Sequence, residues 1–97
     1  MTGWSIYLVR CSDGSIYTGI STDVGRRIGE HKAGARGARY LRGKGPLGLV
    51  YTREVGNRSI ASQLETRIKR LPSTDKSDAD RLPGRIDAIL AELQPDQ

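Results

Sequence analysis

The sequence predicts an α/β domain of the α+β type, a small three-stranded, mainly antiparallel sheet flanked by helices. Three observations carry that expectation: two β-rich runs around Ser12-Asp13-Gly14, a third β-rich run at residues 47–54, and three apolar stripes at helical spacing. At 97 residues the chain has room for one core, so a single domain over 1–97 is expected. Within it, residues 4–71 carry the informative motifs and residues 73–94 form a C-terminal helical extension.

The first two strands, at 4–11 and 15–20, are rich in β-branched and aromatic residues, and Gly14 supplies the positive φ that a tight turn needs. A three-residue loop at 12–14 pairs positions that sum to 26. Trp4, Ile6, Leu8, Ile16, Thr18 and Ile20 then share one face, and Ser5, Tyr7, Val9, Tyr17 and Gly19 the other. A two-residue turn would scatter the isoleucines and leucine over both faces, so the apolar pattern selects the three-residue loop.

A helix follows at about 23–32, with Thr22 or Asp23 as N-cap and Val24, Ile28 and His31 along one stripe. Arg27 flanks that stripe and Arg26 points away. Gly25 and Gly29 each cost about 1 kcal/mol relative to Ala, so packing must hold this helix. Residues 33–46 read as a loop or short irregular helix, in which glycines alternate with Arg36, Arg39, Arg42 and Lys44. After the third strand and Gly56-Asn57, the positions Ile60, Leu64, Ile68 and Leu71 trace a second helix over 58–71, stopped by Pro72. Residues 72–80 are polar and read as a connector. Pro83 then opens a last helix at about 85–93, carried by Ile86, Ile89, Leu90 and Leu93.

Charge narrows the class of partner. Sixteen Lys and Arg against eleven Asp and Glu give +5, and residues 26–58 hold nine basic side chains against only Glu30 and Glu54. Both flanks are slightly acidic. A basic middle third without an amphipathic apolar helix favours nucleic acid over a membrane surface. The single Cys11 excludes an internal disulfide, and one Cys with one His cannot build a zinc site. With no run long enough for a membrane span and too short an apolar start for a secretory signal, a soluble cytosolic protein is expected. Gly37 to Gly43 is one residue too long for a phosphate-binding P-loop, and Gly45 follows Lys44 where a Ser or Thr would be needed. No G-x-S-x-G turn presents a hydrolytic serine.

What remains is a set of polar residues at the edges of apolar elements: Tyr7 and Tyr17 on the hairpin, Arg27 and His31 one turn apart on the first helix, and Glu65 beside Leu64 on the second. Glu65 lies about 90° from the centre of its helix's apolar stripe, which predicts a half-buried carboxylate. In order, these residues resemble the GIY-YIG nuclease domain: Ser5-Ile6-Tyr7 matches the first signature strand, Tyr17-Thr18-Gly19 the second, and the run through Arg27 to His31 its Arg-bearing helix. Arg42-Gly43-Lys44-Gly45-Pro46-Leu47 resembles the small single-domain bacterial subgroup. Three departures are visible: Ser5 stands for Gly, Thr18 for a bulkier apolar residue, and no Asn follows Pro72.

The resemblance implies a DNA endonuclease of low sequence specificity that depends on Mg²⁺ or Mn²⁺. Its catalytic set would be Tyr7, Tyr17, Arg27, His31 and Glu65, with Glu65 as the metal ligand and Tyr7 favoured over Tyr17 as general base. Arg36, Arg39, Arg42 and Lys44 would grip the phosphate backbone. Specificity would come from DNA structure, such as branches or single-strand/duplex junctions, or from a protein partner that supplies targeting. The competing expectation is a non-catalytic nucleic-acid-binding or scaffold module with the same fold.

Overall fold

The computed structural model describes residues 3–33, 48–78 and 80–93. The elements run β1 (Trp4–Arg10), β2 (Ile16–Ser21), α1 (Val24–Ala33), β3 (Gly48–Gly56), α2 (Arg58–Lys69), α3 (Ser73–Ser77) and α4 (Leu82–Leu93). The sheet is fully antiparallel, in the order β2-β1-β3.

The hairpin adopts the expected register. Ile6 pairs with Ile20, Tyr7 with Gly19 and Val9 with Tyr17, while Gly14 takes φ 87° at the turn. Alternation therefore sends β1 side chains to two different environments. On one face Ile6 and Leu8 are buried with Leu64 and Ile68 of α2 and with Leu82, Ile86 and Ile89 of α4. On the other, Tyr7, Val9 and Cys11 pack with Tyr17, Val24 and Ile28, which places α1 over that face. The two edge strands thus flank a β1 that is buried from Ile6 to Val9.

Several boundaries depart from the sequence reading, each for a local reason. In α1, Asp23 is the cap: its Oδ1 accepts from the Arg26 backbone N–H at 3.1 Å, and Val24 begins the helix. β3 continues to Gly56, whose φ of 106° ends it, and Asn57 Oδ1 then accepts from the Ile60 N–H at 2.8 Å to start α2. α2 stops at Lys69 rather than 71, because the residue before a proline is held out of helical conformation and Arg70 already closes the last turn. The polar connector contains the short helix α3, which begins directly after Pro72. α4 starts at Leu82, earlier than expected, so that Leu82 itself reaches the core.

The C-terminal segment is integral to the core: α4 supplies three of the seven buried residues in its larger cluster. Arg53 on β3 pairs with Asp87 on α4, and Arg67 on α2 donates to Glu92 at 3.0 Å. Among the described residues, no helix is long and apolar enough to cross a membrane.

Candidate active site

On the α1 face of the sheet Tyr7, Tyr17 and Arg27 come together. Tyr7 projects from the central strand and is 1 % exposed. Its ring lies over Gly19 across the hairpin; a Cβ there would stand 2.6 Å from the Tyr7 Cζ and hydroxyl, so only glycine leaves room for the phenol. Tyr17, diagonal to Tyr7 in the register, tilts its ring at 46° with centroids 6.4 Å apart. The shared face predicted from alternation is the observed one.

Arg27 reaches Tyr7 from α1 and hydrogen-bonds to its phenol oxygen. The guanidinium is also gripped from its own helix, where Nη1 donates to Glu30 Oε1 at 3.0 Å. Arg26 approaches the other Glu30 oxygen at 3.7 Å. Glu30 is thus a clamp that the sequence reading counted only as a stray acid among bases; its spacing three residues after Arg27 was the available signal. Arg26 points outward, as its position on the helix predicts.

Glu65 sits on α2 with a side chain only 22 % exposed, the half-buried carboxylate expected from its place beside the apolar stripe. Its charge acts on both phenols, so the acid of α2 and the hairpin tyrosines share one electrostatic neighbourhood. Lys69, one turn further along α2, approaches Glu65 at 3.6 Å. His31 belongs to α1, but its side chain falls outside the described residues, as do Arg36, Arg39, Arg42 and Lys44.

The ionisation of the phenols follows from this packing. Burial pushes Tyr7 up to about 12; neighbouring Tyr17 and Glu65 add to that effect, and the charge and hydrogen bond of Arg27 oppose it. Tyr17 is raised by burial and then by Glu65, again against Arg27. Arg27 pays for its partial burial, yet the bonds to Glu30 and Tyr7 and their charges outweigh that cost and hold it firmly cationic. Arg27 is present, but desolvation wins.

Among the described residues, no group of three or more His, Cys, Asp and Glu could enclose a metal ion. A lone half-buried carboxylate does not suit zinc, which wants several nitrogen or sulfur ligands. It does suit Mg²⁺ or Mn²⁺, hard ions that bind through one or two carboxylates plus substrate phosphate and retain several waters.

Comparison with known proteins identifies the family. The family model described as the GIY-YIG catalytic domain matches residues 3–78. A UPF0213 protein of Citrobacter koseri is 47 % identical over 94 residues, covering 97 % of this chain and 93 % of its own. The UPF0213 protein YhbQ of Salmonella typhimurium is 45 % identical with the same coverage. A UPF0213 protein of Bacillus halodurans, solved by solution NMR, shares 42 % identity, with a TM-score of 0.47 over 78 % of this chain and 79 % of that one. Similar along nearly its whole length to these small bacterial proteins, and matched by the catalytic-domain model over every element from β1 to α3, the chain belongs to the GIY-YIG family of nuclease domains.

Proposed function

We propose that this protein is a divalent-metal-dependent endonuclease that hydrolyses DNA phosphodiester bonds with low sequence specificity. It would select DNA structure, such as branches or single-strand/duplex junctions, or take its targeting from a protein partner. One observation carries the reading: two phenols, a guanidinium and a carboxylate, drawn from β1, β2, α1 and α2, act on one another in a single neighbourhood.

Phosphodiester hydrolysis needs an activated water, neutralisation of charge on the phosphoryl oxygens and support for the leaving 3′ oxygen. Arg27, pinned by Glu30, offers a planar fork to a non-bridging oxygen. Glu65 would hold the Mg²⁺ or Mn²⁺, which supplies charge neutralisation at the scissile phosphate and the leaving oxygen. Tyr7 would take the proton of the attacking water and Tyr17 would orient the water or the phosphate; His31 belongs to α1, one turn after Arg27. A phenol near 12 is protonated at neutral pH, so Tyr7 acts as a base only once further positive charge in the bound complex brings it down. Arg36, Arg39, Arg42 and Lys44 would neutralise backbone phosphates and give affinity without reading sequence.

Nicking of supercoiled and branched DNA in Mg²⁺ or Mn²⁺ tests this reading. Glu65→Ala is expected to abolish cleavage, and Arg27→Ala to lower it by roughly 10²- to 10³-fold. The lack of an Asn after Pro72 favours the non-catalytic binding module instead. DNA binding with no cleavage in any metal would establish that alternative and sink the nuclease.

A further inference from the structure

A second feature lies beside this cluster, at the outer edge of the sheet. β2 is an edge strand, and both α2 and α3 pack against it. Between these elements is an open cavity of about 320 Å³, lined by Ile16, Tyr17, Thr18, Lys69 and Lys76. Two of its walls are shared with the candidate active site: Tyr17 is the second phenol, and Lys69 is the ammonium that approaches Glu65. The cavity adjoins the candidate active site through those two side chains.

Its lining is built for an anion. Lys76 comes from α3 and is half-buried, yet no carboxylate pairs with it among the described residues. Its neighbour Asp75 is committed elsewhere, accepting from Arg85 at 3.0 Å. An ammonium that no carboxylate answers leaves net positive charge at the cavity, which attracts an anion.

We propose that the cavity bounded by Ile16, Tyr17, Thr18, Lys69 and Lys76 is a second phosphate subsite, seating the DNA backbone phosphodiester next to the one that reaches Tyr7, Arg27 and Glu65. The inference rests on the nuclease reading and adds to it the path of the bound strand, which leaves the reacting centre across the β2 edge towards α3. It also gives Lys69 two roles in sequence: it balances Glu65 in the free protein and turns to the neighbouring phosphate when the strand is in place.

The test is equilibrium binding of a fluorescein-labelled DNA duplex and single strand to the full chain in EDTA, so that cleavage does not interfere, over about 50 to 200 mM salt. Lys76→Gln is expected to flatten the slope of log K against log salt by about one unit, and Lys76→Arg to restore it. Arg81→Gln removes one exposed charge outside the cavity and controls for net charge; its slope is expected to stay near that of the wild type. A slope unchanged by Lys76→Gln, or lowered equally by Arg81→Gln, would overturn the subsite, and Arg27→Ala still weakening binding in that case would leave the nuclease reading standing. If the wild type shows no salt-dependent DNA affinity, both fall together.

Discussion

Tyr7 sits where two demands on one side chain conflict. Its ring closes the α1 face of the sheet, which favours an enclosed neutral phenol, while its hydroxyl touches the Arg27 guanidinium, which favours a phenolate. Enclosure dominates, and the sign of the pH effect follows. Because the folded pKa of about 12 lies above the ordinary 10, the unfolded chain loses its proton first. The stability this group contributes is fully present below pH 10 and is lost as pH rises to 12, amounting to roughly 2 to 3 kcal/mol. Urea unfolding at about pH 9 and pH 11.5 is expected to show that loss in the wild type and a smaller one in Tyr7→Phe. The hairpin face that holds both tyrosines was legible from the sequence, because only one register gathers the aliphatic side chains together. The complete enclosure of Tyr7 was not: the register already set Gly19 across from it, but how closely the ring lies on that glycine and how α1 closes over it are matters of tertiary packing.

At the scale of elements, α1 is a weak helix set to a demanding task. Two glycines lower its propensity, and no apolar run lengthens its stripe. What holds Arg27 in place is Glu30 on the same helix, and that argues for a positioning role with little weight in overall stability. Glu30→Ala is expected to lower the turnover number about tenfold, through a loosened guanidinium, while the urea midpoint moves little. Glu30→Gln keeps an acceptor for Arg27 and should recover much of the lost rate; equal impairment in both variants would argue against the clamp. α2 was legible because its apolar positions repeat at helical spacing and thereby fix the orientation of Glu65. α3 was not, since Ser73–Ser77 has no apolar periodicity and shows only a starting signal in Pro72. The Glu30 clamp was present in the spacing but hidden by the basic charge around it.

For the whole molecule, the family match ends at residue 78 while the core continues. Leu82, Ile86 and Ile89 are each 7 % exposed or less and cover Ile6 and Leu8 from the α4 side. A chain ended at residue 78 is therefore expected to lose its cooperative unfolding transition, each lost aliphatic side chain removing about 1.5 to 3 kcal/mol of burial. Circular dichroism with urea titration would decide; a stable truncated chain would show α4 to be an appendage. The same central strand that α4 helps to cover also imposes a restriction on change. In β1, neighbours Ile6 and Tyr7 serve opposite sides, one the interior under α2 and α4 and one the face that α1 covers. Gaining or losing a single amino acid upstream in that strand, with no bulge to absorb it, would swap their duties, sending the phenol into the hydrocarbon and an isoleucine towards α1. The ladder with β3 already carries two such irregularities, at Trp4/Ser5 and Leu8/Val9, so a length change in this ribbon is tolerated only where a local kink restores the alternation.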